Sequence, residues 1–236
     1  MLLLPCYSTG LWVPCLGRIL SLIEYRERVR RVLENTLPID VVEGGRRDPH
    51  SSRAPRPCGV TIHTGIGCSN ACLYCYIYDM GFPASVKGYP LPPEDIVYAL
   101  SLNPYIVPER SLAAYGSVTE PFHPLTRGFS LKLIELVHWY LKLLSQISTK
   151  SILDSEIVNR IAGSDPGCSV LVTVVAIDSA RVLEPGAPNP IDRVVYAGYA
   201  SKHLHTSLFI RPIIPTITDA EADKIFRLAV EHGVRH

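Results

Sequence analysis

The stretch GVTIHTGIGCSNACLYCY, residues 59–76, places a short apolar run directly before three closely spaced cysteines. The run at 59–63 predicts a buried β-strand. The cysteines that follow, Cys68, Cys72 and Cys75, have the spacing Cys-x3-Cys-x2-Cys. Three thiolates on one short loop can converge on one face of a metal cluster, and iron–sulfur clusters are held by such thiolates.

Downstream of this stretch, short apolar runs alternate with helical patterns. The predicted strands are 59–63, 111–115, 146–149, 169–177 and 206–214, and the predicted helices are 93–102, 130–145, 154–162, 191–203 and 218–233. A capping box, Thr218 with Glu221, marks the start of the last helix. The alternation predicts parallel strands in a barrel or a doubly wound sheet. In either arrangement, functional groups lie at the carboxyl ends of the strands.

The region upstream of the first predicted strand has a different character. A helix is predicted at 19–35, and its charged face is either solvated or an arm that touches a phosphate backbone. Residues 43–57 are rich in Gly, Pro, Ser and Arg, which predicts a linker or an ordered loop. We therefore expect a helical and loop leader at 1–57 and a core domain at 58–236.

The composition excludes several classes of protein. Of 236 residues, 47% are hydrophobic and 19% are charged, which argues against a disordered chain, a collagen-like repeat and a coiled coil. The net charge of +1 gives the chain no overall electrostatic attraction to nucleic acid or to an anionic membrane. The apolar start lacks a positively charged n-region and is interrupted by Pro5, Gly10 and Pro14, so neither a signal peptide nor a transmembrane helix is predicted.

The seven cysteines are odd in number, and three of them crowd into eight residues. This pattern favours a metal or redox cluster in the reducing cytoplasm over a secreted disulfide scaffold. Two other uses of the cysteines stay open. One is a zinc site with His63 as the fourth ligand. The other is a structural cluster with a fourth thiolate, whose candidates are Cys6, Cys15, Cys58 and Cys168.

The cysteine loop resembles the signature of the radical S-adenosylmethionine superfamily, which carries an aromatic residue, here Tyr74, just before the third cysteine. Within that superfamily the chain is similar to the spore photoproduct lyase-like group, also called DNA repair photolyase-like. The stretches that carry this similarity are 67–76, 116–124, 148–151, 183–193 and 211–219. The resemblance implies a partial (β/α) barrel, with five βα units visible and the sixth strand missing at the C-terminus.

The resemblance also implies a reaction. A 4Fe–4S cluster on Cys68, Cys72 and Cys75 would leave one iron open to chelate S-adenosylmethionine, and its electron would release a 5′-deoxyadenosyl radical. The chain would then be a lyase-like or transferase-like enzyme, with a reductase or ferredoxin-type electron donor. Its substrate would be a small molecule or a nucleic acid, through lesion repair or modification. The alternative is a non-catalytic iron–sulfur or zinc-binding module.

Several residues at the predicted strand ends would contact the cofactor. They are Tyr74, Gly116, Ser117, Thr119, Glu120, Ser148, Lys150, Thr173 and Arg211. Simpler roles exist for some of them: Ser117 and Thr119 also favour turns, Thr173 also packs as a β-branched residue, and Arg211 also suits a buried ion pair. Glu184 and Arg193 either pair with each other or contact the substrate, and His123 lies beside the expected pocket.

One position departs from the group. Within the group, spore photoproduct lyase itself carries a cysteine hydrogen donor after the second strand, where this chain reads Tyr115-Gly116-Ser117-Val118. Repair of a photoproduct through that thiol is therefore not expected, and a fold-level likeness does not set the substrate. The catalytic residue stays unassigned.

Overall fold

The computed structural model describes residues 12–235 of the chain. Its helices are α1 (Trp12–Thr36), α2 (Ile39–Arg47), α3 (Pro93–Leu102), α4 (Arg127–Leu141), α5 (Ser155–Ser164), α6 (Ala180–Leu183), α7 (Pro190–Ala200) and α8 (Thr218–Glu231). Its strands are β1 (Val60–Ile62), β2 (Gly65–Ile66), β3 (Lys87–Gly88), β4 (Leu112–Tyr115), β5 (Leu144–Thr149), β6 (Ser169–Thr173) and β7 (His205–Phe209). No helix in this range is long and apolar enough to cross a lipid bilayer.

Within the described residues, five strands form one parallel sheet in the order β1-β4-β5-β6-β7. Each strand pairs with the next strand of the sheet along the chain, which is the winding of a barrel. A doubly wound sheet would reverse its strand order at a switch point. The predicted fold class, an α/β partial barrel with five βα units, is therefore confirmed.

The barrel is held together by the apolar positions that the sequence pattern identified. In β6, Val170 and Val172 are completely buried. In α4, the buried residues Leu133, Ile134 and Val137 recur at helical spacing, whereas Trp139 lies on the outer face and is largely exposed. Each fully buried aliphatic side chain contributes about 1.5–3 kcal/mol relative to exposure, so this face fixes the helix on the sheet.

Two of the observed strands end earlier than the sequence predicts. The runs at 169–177 and 206–214 stop being strands at Thr173 and Phe209. Residues 174–177 are nevertheless almost completely buried. At 174–177 the apolar pattern therefore reports burial beyond the end of β6 rather than a longer strand.

Several helix boundaries differ from prediction: α1 begins at Trp12 rather than at residue 19, and α7 ends at Ala200 rather than at residue 203. The helix predicted at 130–145 spans Arg127–Leu141, because Lys142 takes a left-handed conformation (φ 55°) that ends it. The prediction of a capping box at the start of α8 is wrong. The Thr218 hydroxyl accepts from the backbone N–H of Ile214 at 2.9 Å, and Glu221 instead accepts from the backbone N–H groups of residues 177–179. Glu221 thus ties α8 to the loop after β6.

The leader contains a helix where the sequence predicted a loop from residue 43. Helix α2 continues through Gly45, whose missing Cβ allows the backbone to approach α3: a Cβ would lie 2.8 Å from the Asp95 carbonyl oxygen. Two glycines in succession lower helix propensity, which hid this element from sequence reasoning. Helix α1 also packs on α3, since Arg26 donates to the carbonyl oxygens of Asn103 and Ile106 at 2.7 and 2.8 Å. The division into a leader at 1–57 and a core at 58–236 stays a prediction.

Side chains of the leader satisfy the backbone of edge strand β1. The Arg53 guanidinium donates to the carbonyl oxygen of Thr61 at 3.2 Å. The backbone N–H of His63, just after β1, donates to Nε2 of His50 at 3.1 Å. The other ring nitrogen of His50 lies 2.6 Å from the carboxylate of Asp48, which fixes the tautomer that leaves Nε2 free to accept. An unpaired strand edge invites association with other chains, and these contacts block it.

Candidate functional site

The cysteine loop, defined here as residues 67–86, follows β2 and so extends from the carboxyl end of β1. All three of its cysteines are free thiols; Cys72 is buried, and Cys68 and Cys75 are partly exposed. Cys58 is an exposed free thiol, and Cys168 is buried at the opposite end of the sheet, at the start of β6. Cys6 and the side chain of Cys15 lie outside the described residues.

Burial favours the neutral form of two thiols of the loop, Cys68 and Cys72. Burial raises the pKa of Cys68 and raises that of Cys72 to about 11. The shift at Cys72 includes the opposing positive charge of Lys150 and the raising effects of Glu184 and of the other two thiolates of the loop. A cation bound among the three sulfurs would displace their protons.

The donor set suits a cluster. Three thiols on one loop match the ligands of an iron–sulfur cluster, in which each cysteine binds a different iron. Within residues 12–235, no three His, Cys, Asp or Glu side chains gather around a single point as one metal ion would require. The ring of His63, the proposed fourth zinc ligand, packs edge-on against His50 on the leader side, with 5.6 Å between ring centroids.

A buried polar cluster joins the cysteine loop to the barrel. The Tyr74 hydroxyl donates to Oε1 of Glu184, and Arg193 donates to Oε2 at 2.5 Å. The Lys150 ammonium lies 3.9 Å from the same carboxylate and 5.5 Å from the centre of the Tyr74 ring. Burial and the negative charge of Glu184 raise the pKa of Tyr74, which keeps its hydroxyl a donor. Of the two roles expected for Glu184 and Arg193, the pairing with each other is confirmed.

The ends of β4 and β5 meet through Gly116 and Glu120. Gly116 has a φ of +91°, and a Cβ there would lie 2.0 Å from the carbonyl oxygen of Ser148, so only glycine lets the two strand ends approach this closely. The buried Glu120 carboxylate accepts from the Thr149 hydroxyl at 2.5 Å and from the backbone N–H of Lys150 at 2.8 Å. Glu120 therefore holds the backbone that aims Lys150.

Two predicted cofactor contacts carry unused hydrogen-bonding groups. The hydroxyl oxygens of Ser117 and Thr119 are buried and have no partner among the described residues. Buried hydroxyls without partners are uncommon in folded proteins and mark a place where a ligand or water binds. The carbonyl oxygen of Ser117 accepts from the Tyr76 hydroxyl at 2.9 Å, which brings the cysteine loop over this turn. Unused hydroxyls in the turn that Tyr76 joins to the cysteine loop are the observation that most directly fits a polar cofactor.

Thr173, Arg211 and His123 are the other residues that the sequence singled out. Thr173 is buried at the end of β6, where its carbonyl oxygen accepts from Arg193 at 2.6 Å. Arg211 was predicted within a strand, and this is wrong: it lies two residues after β7 and is exposed, so the alternative of a buried ion pair does not hold either. His123 lies in the turn before α4, where its Nδ1 accepts from the backbone N–H of Leu125 at 3.2 Å.

Sequence reasoning missed how the loop after α6 holds the cysteine loop. The backbone N–H of Leu73 donates to the carbonyl oxygen of Leu183 at 2.9 Å, and that of Gly186 donates to the carbonyl oxygen of Asn70 at 3.0 Å. Both contacts join backbone groups more than 100 positions apart, and backbone pairing leaves no mark on side-chain pattern. The only signal available was the stretch EPGAP at 184–188, which indicates a turn.

Comparison with known proteins shows a likeness to one group of solved structures. A spore photoproduct lyase with a cysteine-to-serine substitution is 18% identical, with a TM-score of 0.65 over 76% of this chain and 54% of that one. A tyrosine-to-phenylalanine variant is 16% identical, with a TM-score of 0.66 over 81% and 59%. A variant with bound AdoMet and dinucleoside spore photoproduct is 17% identical, with a TM-score of 0.65 over the same shares.

No family model and no curated protein matches the chain. The chain spans 54–59% of the length of these solved proteins. At this level of identity the likeness concerns the fold. The chain thus has the partial (β/α) barrel fold that is found in spore photoproduct lyase.

Proposed function

We propose that the chain is a radical S-adenosylmethionine enzyme that binds a 4Fe–4S cluster through Cys68, Cys72 and Cys75. The observation that carries this proposal is the position of three free thiols on one loop at the carboxyl end of the barrel, beside a part-buried lysine. Catalytic groups of parallel βα barrels lie at that end. The bound AdoMet in one structural neighbour supports the same cofactor here.

The residues around the loop have complementary tasks in this proposal. When bound, the cluster supplies the electron that cleaves S-adenosylmethionine to methionine and a 5′-deoxyadenosyl radical. Lys150, held by Glu120 and Glu184, offers a cation to the cofactor carboxylate. The Ser117 and Thr119 hydroxyls offer hydrogen bonds to its polar groups. The surrounding barrel excludes water, which would otherwise compete for these contacts.

For the substrate, we propose a damaged or modified nucleic-acid constituent. The support is that one neighbour of the same fold holds a dinucleoside lesion. The chain's net charge of +1 gives no general attraction to duplex DNA. We therefore expect recognition of a base or dinucleotide rather than tight binding along a duplex. Weak duplex binding with a shallow salt dependence would agree, and a steep salt slope would contradict this expectation.

Cluster binding can be tested before any turnover. The full chain is reconstituted anaerobically with iron and sulfide, and its iron and sulfide content and visible absorption are measured. We expect about four irons per chain in the native protein and in Cys58→Ala, and little iron in Cys72→Ala. Equal iron in the two variants would contradict the assignment of the ligands. After reduction, addition of S-adenosylmethionine should alter the electron paramagnetic resonance spectrum, and an unchanged spectrum would favour a non-catalytic module.

A further inference from the structure

Glu184 is the centre of the most deeply buried charge cluster that the structure describes near the site. Its side chain is 1% exposed, and that of its partner Arg193 is 0% exposed. A buried carboxylate is costly unless it is paired and hydrogen-bonded, and Arg193 does both. Arg193 is fixed in turn by its bond to the Thr173 carbonyl oxygen at 2.6 Å. The pair therefore forms a rigid base under the cysteine loop.

Tyr74 connects the cysteine loop to this base. Its hydroxyl donates to Oε1 of Glu184, the oxygen that Arg193 leaves free. Hydrogen bonds to a charged acceptor are stronger than those between neutral groups. Before Tyr74 the loop is also held by two backbone contacts, Leu73 to Leu183 and Gly186 to Asn70, and after it by the Tyr76 hydroxyl, which donates to the Ser117 carbonyl oxygen. Among these contacts, the Tyr74 hydroxyl is the one that involves a charge.

The same contact governs two groups of the proposed site. Cys72 lies two residues before Tyr74 and is 5% exposed, so its burial depends on how the loop sits on the barrel. The Lys150 ammonium lies over the Tyr74 ring and beside Glu184, so its direction depends on both. Displacing the Tyr74 ring would release Lys150 and uncover Cys72 together.

We infer that Glu184 is a positioning residue: through the Tyr74 hydroxyl it holds residues 70–74 against the barrel, with Cys72 buried and Lys150 aimed at the loop. The relevance of this contact to catalysis rests on the proposed function, because the contact would position Cys72 as a ligand of the cluster. The contact itself belongs to the metal-free chain. It can therefore be tested without cluster or cofactor.

The test is the rate at which each cysteine of the full, metal-free chain reacts with a thiol reagent, followed by mass spectrometry. Tyr74→Phe removes the hydroxyl and keeps the ring. We expect Cys72 to react roughly tenfold faster or more in this variant, since a hydrogen bond to a charged group is lost. Cys58 is the exposed internal reference and Cys168 the fully buried one, and both rates should stay unchanged. Tyr78→Phe is the matched control, because the Tyr78 hydroxyl bonds within the loop, to the Cys68 carbonyl oxygen at 3.2 Å.

A second variant separates positioning by Glu184 from a general effect of the ring. Glu184→Asp keeps the charge for Arg193 but withdraws the carboxylate from Tyr74, so Cys72 should again react faster. The double variant should react no faster than either single variant, because both remove the same contact. Additive acceleration would overturn the inference. So would an unchanged Cys72 rate in Tyr74→Phe, or an equal acceleration at Cys168, which would mean that the whole fold had loosened.

The iron-loaded protein gives an independent readout. In Tyr74→Phe, a chelator should remove iron several-fold faster than in the native chain or Tyr78→Phe. Failure of the proposed function would leave the labelling result intact, because that experiment contains no cluster. Conversely, a native chain that cleaves S-adenosylmethionine while Tyr74→Phe labels normally would keep the function and reject the role of Glu184.

Discussion

The interior of the sheet and the cysteine loop are built in opposite ways. In β5 and β6, buried aliphatic residues such as Ile147, Val170 and Val172 pack in register across parallel strands. The cysteine loop has no regular secondary structure between β2 and β3, and a few polar contacts hold it on the barrel. The interior depends on many interchangeable apolar contacts, whereas the loop depends on a small number of specific ones.

The largest expected contrast is in stability. Ile147→Ala should lower the free energy of unfolding by about 2–5 kcal/mol, because it creates a cavity in a fully buried position. Leu73→Ala in the cysteine loop should change it by less than about 0.5 kcal/mol, because that side chain is 70% exposed. Urea titration measures both. A comparable loss in the two variants would mean that the loop is part of the core.

Glu120→Ala is expected to have the next largest effect. The substitution leaves the Thr149 hydroxyl and the Lys150 backbone N–H buried without an acceptor, at a cost of about 1–3 kcal/mol in unfolding free energy. Glu120→Gln should lose less, since its amide oxygen still accepts one bond. If both variants keep native stability but lose cofactor binding, Glu120 contacts the cofactor and does not support the backbone.

A third comparison concerns two cations that the sequence placed in the same site. Lys150→Ala should weaken S-adenosylmethionine binding by about tenfold, the loss of one charge-assisted contact. Arg211→Ala should weaken it by less than about twofold, because Arg211 is exposed beyond β7. Isothermal titration with the iron-loaded protein compares the variants. The reverse order would show that the loop after β7 closes over the cofactor.

The smallest expected effect is on pH dependence at the leader side of β1. Burial, together with the positive charge of Arg53, lowers the pKa of His63 to about 3. The unfolded chain then binds more protons than the folded chain between pH 6.5 and 3, so stability falls as pH falls through this window. At pH 6 the loss from His63 should be about 1 kcal/mol or less, and lower in the window the slope should approach the one-proton value of about 1.4 kcal/mol per pH unit; His63→Gln should remove it. An unchanged slope in urea titrations would contradict the burial of a neutral His63.

The contrast between interior and loop also explains what the sequence could predict. The helix predicted at 93–102 agrees with α3, and each predicted strand overlaps an observed one, because burial repeats in the residue pattern. The Tyr74 hydroxyl bond to Glu184 spans 110 positions and leaves no periodic signal. The loop's chemistry could still be predicted, because the cysteine spacing is local; its attachment to the barrel could not.

The failed predictions have the same origin. The pair Thr218 and Glu221 matches a local capping pattern, yet Glu221 binds the loop after β6 because three backbone N–H groups there form a better partner. Arg211 lies in the part of the apolar run 206–214 that follows the end of β7, and its side chain is exposed. In both cases a long-range arrangement overrides a local pattern.

The most direct test of the central claim is the cleavage of S-adenosylmethionine. The native chain, Cys72→Ala and Cys58→Ala are loaded anaerobically with iron and sulfide, reduced with dithionite and incubated with S-adenosylmethionine. 5′-Deoxyadenosine is then quantified by chromatography. The account predicts product from the native chain and from Cys58→Ala, and none above background from Cys72→Ala. A fully loaded native chain that forms no 5′-deoxyadenosine, or equal product from Cys72→Ala, would contradict it.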